Sequence, residues 1–280
     1  MVNMIRAKQP LGPNVVELVV EAPRIAARAR AGQFVVVRLH ERGERIPLTL
    51  ADWDPGRGTI TLVVQMVGKS TRELGERFGI GDTIRDVVGP LGSPSAIRRY
   101  GTVVCVGGGV GIAPVYPIAR ALREEGNEVI AVVGARTKDL LLWLDRIAAV
   151  SSELHIATDD GTQGVKGVVT IPLQEVLTAR KVAHVWAIGP AIMMKFCART
   201  CQEFEVPVTV SLNAIMLDGT GMCGACRVEV GGETRFSCVD GPEFPGDLVN
   251  WDLLLSRLGT FTDEERYALE RYVAARGGRL

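Results

Sequence analysis

The chain has 280 residues, 47% of them apolar and 23% charged, and its 32 basic side chains balance 32 acidic ones. At about 150 residues per domain this length points to two domains and a small appendage, with a core large enough to need no disulfide or metal merely to fold. The zero net charge argues against a general nucleic-acid binder or a polybasic membrane-surface protein, since both carry net basic charge.

The first hundred residues read as strands. Segments 14–23, 33–40, 59–68 and 82–90 are rich in Val and Ile and bounded by turn residues such as Pro55-Gly56 and Gly79 to Asp82. This pattern predicts an antiparallel β-barrel over residues 1–98. One helix, 70–79, interrupts it, with Ser70 or Thr71 as cap and Glu73 in its first turn. Arg6 and Lys8 near the start are followed by no long apolar core, so no secretory signal is expected. A reducing cytoplasm is the expected setting.

From residue 99 to 208 strands alternate with helices. Strands are expected at 101–107, 127–135, 153–161 and 184–190, and helices at 113–126, 138–150, 171–180 and 191–204. Such alternation predicts a doubly wound parallel α/β domain whose ligands sit at the carboxyl ends of the strands. No charge occurs from Tyr100 to Ala119. Its glycines, with Pro114 and Pro117, mark a buried strand, a loop and a helix start instead of a membrane span. A third unit over 209–260 holds a cysteine-rich loop and a hairpin, 227–238, turning at Gly231-Gly232. The tail, 261–280, reads as a helix over 262–278 capped by Thr262 with Glu265 three residues later.

Three motifs carry chemistry. The first is Asp218-x4-Cys223-x2-Cys226-x11-Cys238. Plant-type two-iron clusters use C-x4-C-x2-C and a distant fourth Cys; here aspartate takes the first position. Three thiolates and a carboxylate suit a [2Fe–2S] cluster, and they also suit zinc; three free cysteines in a turn is the plainest alternative. The second motif is the glycine run Gly107, Gly108, Gly109, Val110, Gly111, Ile112, Ala113 and Pro114 between a strand and a helix. It departs from G-x-G-x-x-G, but close backbone approach and a helix N-terminus suit a phosphate. Arg136, Asp159, Asp160, Gly189 and Pro190 end neighbouring strands on the same sheet edge. The third motif pairs Arg45, Pro47, Leu48 and Thr49 with Gly68, Lys69, Ser70 and Thr71. There Arg45 suits bidentate contact with a pyrophosphate, and the helix start suits another phosphate.

The barrel, R-x-P-L-T, G-K-S-T and G-G-G-V-G-I-A-P together resemble the ferredoxin–NADP reductase superfamily. The segments Asp218 to Val228 and Phe236 to Phe244 further resemble the small subunits of NADH-dependent reduced ferredoxin:NADP oxidoreductase. That flavin-based bifurcating complex is also known as sulfide dehydrogenase. The resemblance extends to about residue 260. It implies that Arg45, Pro47, Leu48 and Thr49 line the flavin of FAD, that Gly68 to Thr71 hold its pyrophosphate, and that Gly107 to Pro114 face the nicotinamide dinucleotide. Arg136, Asp159, Asp160, Gly189 and Pro190 surround that dinucleotide, and Asp218, Cys223, Cys226 and Cys238 ligate the cluster. NAD(H) is implied as substrate, although Arg136 would also accept the 2′-phosphate of NADP(H). A large flavoprotein/iron–sulfur subunit is the implied partner, with ferredoxin served through the complex. No side chain need act as acid, base or nucleophile, because the cofactors carry the chemistry. The electron-transfer subunit of dihydroorotate dehydrogenase, a near relative with four cysteines, is one alternative. A zinc-stabilised nucleotide-binding module without redox activity is another. Cys105, Cys197 and Cys201 are expected in the core.

Overall fold

Apolar alternation in the first hundred residues produces antiparallel ladders in the computed structural model, which describes residues 3–276. The elements are β1 (Asn3–Gly12), β2 (Val15–Glu21), α1 (Pro23–Ala26), β3 (Phe34–Arg38), β4 (Arg45–Thr49), β5 (Asp52–Asp54), β6 (Thr59–Gln65), α2 (Lys69–Arg77), β7 (Thr83–Ile84) and β8 (Asp86–Leu91). They form a five-stranded sheet, β5-β6-β2-β1-β7, and a three-stranded sheet, β4-β3-β8. One core joins the two, with Leu18, Ile60 and Leu62 meeting Val35 and Val37. The expected barrel is therefore completed by side-chain packing and not by a continuous ladder. Both edges of the smaller sheet carry a proline, Pro47 in β4 and Pro90 in β8, which lacks the N–H a further ladder needs.

The cap of α2 also departs from expectation. Gly68 is the N-cap, and Thr71 lies within the first turn, where its hydroxyl accepts the Gly68 N–H at 3.0 Å. Glu73 lies beyond the first turn, buried against Lys69 and Arg77 at 3.6 and 3.4 Å.

The second region runs β9 (Thr102–Gly108), a 3-10 turn (Gly109–Gly111), α3 (Ile112–Glu124), β10 (Glu128–Ala135), α4 (Leu144–Val150), β11 (Glu153–Thr158), β12 (Val165–Lys166), α5 (Thr170–Ala179), β13 (His184–Ile188), α6 (Ala191–Glu203) and β14 (Val208–Ser211). The third adds β15 (Arg227–Val230), β16 (Glu233–Phe236), β17 (Glu243–Pro245), α7 (Trp251–Leu258) and α8 (Thr262–Ala274). The large sheet has the order β12-β11-β10-β9-β13-β14-β17. Its strands are parallel except β17, which pairs antiparallel with β14. Its central strands read as unbroken apolar runs because helices cover both faces. β17 carries the chain after Cys238 back onto this sheet, and Cys226, Cys238 and Leu254 share a core with Val104 and Ile130. The third unit is thus built onto the second. Among the described residues no helix is long and apolar enough to cross a membrane.

The helix expected at 138–150 is broken. Trp143 adopts φ 51, a left-handed conformation unusual for a bulky side chain, and α4 starts only after it. The indole Nε1 donates to Glu17 Oε2 at 2.9 Å, and Arg146 lies 4.3 Å over the ring. Contacts with the barrel override local helix propensity here. Arg120 of α3 donates to Asp52 of β5 at 2.7 Å and adds a second tie between the domains.

In the tail, Phe261 and not Thr262 precedes the helix, and the Thr262 hydroxyl donates to Gly259 O at 3.0 Å. The far end of α8 reaches α2, where Arg276 donates to Glu76 Oε2 at 2.6 Å. Positions 277 and 278 of the expected helix lie outside the described residues.

Candidate functional site

Strands β9, β10, β11 and β13 end along one edge of the parallel sheet, the place where α/β folds bind ligands. A cleft of about 1110 Å³ opens there against the barrel, just above the range usual for one small-molecule ligand, about 300–1,000 Å³. It brings together Pro47 and Thr49 from β4, Gly108, Gly109, Val110, Gly111 and Pro114 from the glycine run, and Arg136, Asp159, Gly189 and Pro190 from the other strand ends. Gly111 is required by close approach: a Cβ there would press on the Ile188 carbonyl and come within 2.8 Å of Gly189 Cα. This contact lets the start of α3 lie beside the end of β13.

Several expected residues lie elsewhere. Arg45 is exposed at the start of β4 and does not line the cleft. Leu48 packs on the barrel core, because side chains alternate along a strand and its neighbours Pro47 and Thr49 take the cleft side. Gly68 to Thr71 start α2 outside the cleft. The Ser70 hydroxyl donates to Glu44, and Lys69 pairs with Glu73. Gly107 and Ala113 are buried behind the glycine turn. Asp160 builds a turn by accepting the Thr162 hydroxyl and N–H at 2.7 and 3.0 Å, and these bonds hold its carboxyl below the usual range.

The cleft wall also includes residues the motifs did not indicate: Phe34, Met193, Phe196, Asn213, Ala214 and Met216. The last three lie two to five residues before Asp218, and that nearness to a ligand motif was the available signal. Gly219 connects the two places. A Cβ there would meet Leu91, Val36 and Phe34, so the cysteine loop starts against the residue that walls the cleft.

Within the loop Gly219, Gly221 and Gly224 all have positive φ, a conformation that suits glycine. Asp218 Oδ1 accepts the Thr220 N–H at 2.6 Å and Oδ2 accepts the Cys223 N–H at 2.8 Å. These bonds hold its carboxyl below the usual range, the Thr220 N–H most strongly. Cys226 Sγ and Cys238 Sγ lie 3.1 Å apart, unbonded and buried, while Cys223 is exposed. Burial, then the Cys226 thiol, pushes Cys238 up to about 12; a coordinated metal would reverse that, since it deprotonates a thiol. Among the described residues no three ligand side chains are gathered as for a single ion. The donors instead fall into two neighbouring sets, Cys226 with Cys238 and Asp218 with Cys223. Two irons, each taking two protein ligands, suit that arrangement.

The other three cysteines, and the histidine beside Trp186, are structural. Cys105, Cys197 and Cys201 are fully buried. His184 packs on Trp186 and shares a 2.8 Å hydrogen bond with Thr209. Burial lowers its pKa to about 4, so it is neutral at pH 7.

Residues 105–199 match the oxidoreductase NAD-binding domain family, and residues 213–250 match the iron–sulfur cluster binding domain of dihydroorotate dehydrogenase B. The dihydroorotate dehydrogenase B (NAD(+)) electron transfer subunit homolog of Thermotoga maritima is 53% identical over 98% of this chain and 97% of its own length. The corresponding subunit of Desulforamulus reducens is 34% identical, covering 86% of this chain and 95% of its own. A solved structure from work on flavin-based electron bifurcation by NADH-dependent reduced ferredoxin-NADP oxidoreductase superposes with a TM-score of 0.92. It shares 52% identity over 97% of this chain and 98% of its own. Phthalate dioxygenase reductase, at 18% identity and a TM-score of 0.62 over 81% of this chain and 85% of its own, shares the fold.

Proposed function

The chain belongs to the family of ferredoxin–NADP reductase-like electron-transfer subunits that join an oxidoreductase NAD-binding domain to an iron–sulfur cluster binding domain, and from that membership we propose that it passes electrons between NAD(H), FAD and a [2Fe–2S] cluster within a bifurcating NADH-dependent ferredoxin:NADP oxidoreductase. Bound in the cleft and loop, the cofactors would supply hydride acceptance from NADH, by FAD, and single-electron transfer, by the cluster. The protein's part is placement. Gly108 to Gly111 and the start of α3 present N–H groups to the dinucleotide. Pro47 and Thr49 offer the flavin a wall on the opposite side, and the start of α2 with Lys69 offers a seat for the far phosphates. Asp218, Cys223, Cys226 and Cys238 would hold the cluster.

One observation carries this reading: the cysteine loop begins on the residues that wall the cleft, through Gly219 and Phe34. Electrons leaving a flavin there meet the cluster site next. Around that site Met222 is 88% exposed, and Leu217 and Val239 are exposed too. Such an apolar rim suits a large flavoprotein/iron–sulfur partner subunit, with ferredoxin served through the complex. Within the chain we assign residues 1–98 to flavin, 99–208 to NAD(P), 209–260 to the cluster and 261–280 to a helical tail. Arg136 and Asp159 both line the cleft; the carboxylate disfavours a 2′-phosphate, so NAD(H) is the proposed substrate.

Metal and flavin analysis of protein purified without oxygen tests the cofactor assignment. One FAD, two irons and two sulfides per chain are expected for a [2Fe–2S] flavoprotein; zinc in place of iron contradicts it. A second reading, service to a dihydroorotate dehydrogenase, has in its favour the match at residues 213–250. Reconstitution with each partner decides between the two.

A further inference from the structure

Next to Pro242 in the cleft wall stands a carboxyl group that the electron route leaves unused. After Cys238 the chain runs through Val239 to Glu243 alongside Gly92 to Ser95, the linker between barrel and nucleotide domain. Ser93 N donates to Gly241 O at 2.7 Å, and its hydroxyl donates to Val239 O at 3.2 Å. Ser95 Oγ donates to Glu243 Oε1 at 2.6 Å, and Ser95 N donates to Ala31 O at 2.9 Å. Barrel, linker and post-cysteine segment thus form one seam. Gly32 closes it: its φ is +82, and a Cβ would come 2.7 Å from Glu243 Oε1.

The seam contains an acid with no cation to balance it. The groups facing Glu243 are the Ser95 hydroxyl, the Trp186 indole and the Cys105 thiol, and no cation among the described residues helps to hold it ionised. Beside it the buried Trp186 indole N–H, which has no other partner among the described residues, favours the ionised form of this carboxyl. Buried polar groups are ordinarily satisfied, and a buried carboxylate is ordinarily paired. Glu243, half-buried at this junction, has donors but no cation facing it, so charge on it weighs against the closed seam.

We propose that Glu243 is a proton-dependent positioning residue: protonated, it holds the segment after Cys238 against the interdomain linker and fixes the cluster loop relative to the cleft; ionised, it releases that segment. The role in electron transfer rests on the flavin and cluster assignments above. Burial pushes this carboxyl up to about 7 from an ordinary value of 4.5, while the Ser95 hydroxyl and then the Trp186 indole pull it down. The sign follows from linkage. The closed seam is fully favoured below the pKa of the released carboxyl. It weakens as pH rises towards 7 and levels off above. Burial holds the Cys105 thiol protonated throughout, so it does not titrate in this window.

Hydrogen exchange on the full holoprotein between pH 5 and 8, normalised to the intrinsic rate at each pH, tests this. Opening of segments 92–96 and 239–243 should rise by up to about tenfold per pH unit between pH 5 and 7, as one proton is released. Glu243→Gln should stay flat at the protected level. Ser95→Ala should move the midpoint upward, because it removes a hydroxyl that favours the carboxylate. The rate of cluster reduction after mixing with NADH should fall as the seam opens, and lose that dependence in Glu243→Gln. A flat exchange profile in the unmodified protein, a Glu243→Gln profile parallel to it, or a Ser95→Ala midpoint that falls overturns the proposal. Opening that titrates while reduction rates stay parallel in both proteins overturns the positioning role. Absence of flavin or cluster instead defeats the electron route and leaves the exchange profile as its own result.

Discussion

Cys238→Ser is expected to remove the cluster while leaving the flavin in place and reducible by NADH. Cys238 is buried, and its sulfur lies 3.1 Å from that of Cys226, so in the proposed cluster the two would serve the same metal. A serine hydroxyl is a harder and more weakly acidic donor than a thiol and does not replace thiolate at iron. Changes outside the ligand shell alone cost about 10–100-fold in metal affinity, so loss of a ligand should lower iron retention and electron delivery to ferredoxin by more than about 100-fold. NADH oxidation with a two-electron dye as acceptor should continue near its normal rate. Iron analysis and paired assays in the reconstituted complex measure both. Asp218→Cys is the informative contrast. It keeps four donors, so it should retain iron and shift the cluster potential; an unchanged potential removes Asp218 from the ligand set.

Gly111→Ala should have the opposite signature. Gly111 has an ordinary helical backbone, φ −63 and ψ −11, so alanine suffers no conformational penalty there. The obstacle is space, since the new methyl group would meet the Ile188 carbonyl and Gly189 Cα. Both are backbone atoms at the end of β13 and cannot swing aside. The start of α3 must therefore move off β13 and open the wall that faces the dinucleotide. A displacement of about 1 Å can cost 100-fold when a reaction depends on alignment. NADH-dependent flavin reduction should fall by about that factor, with iron and flavin contents retained. Overpacking of this kind also costs about 1–3 kcal/mol of stability, which urea unfolding reads. Rapid mixing with NADH measures the first effect, and a normal reduction rate removes Gly111 from the dinucleotide site.

The sequence made the α/β half legible because its strands are buried on both faces and read as apolar runs, as in residues 102–108 and 128–135. The hairpin at Gly231-Gly232 was equally plain. Other elements owe their form to distant partners. β1 buries only Ile5 fully, so no apolar alternation announces it; pairing with β2 places it. The interrupted helix at Trp143 follows from Glu17, more than a hundred residues earlier. β17 is three residues long and exists because β14 offers an edge. At the candidate site, the cysteine spacing pointed to residues of one loop and the glycine run to residues most of which line the cleft, since each motif is local. The side that Leu48 takes, towards the barrel core, depends on the register of β4, which no local motif fixes. Glu243 went unnoticed because its neighbours, Gly32, Ser95 and Trp186, are scattered along the chain.

The claim on which the rest depends is that NADH, flavin and a two-iron cluster form one electron route in this chain. Anaerobic titration of the purified holoprotein with NADH, followed by visible absorbance and electron paramagnetic resonance, tests it most directly. The account predicts bleaching of flavin bands together with the signal of a reduced two-iron cluster holding one electron. In Cys238→Ser the flavin should bleach and the paramagnetic signal should be absent. A colourless, zinc-containing protein, or a flavin that NADH reduces without any electron reaching iron, would contradict it.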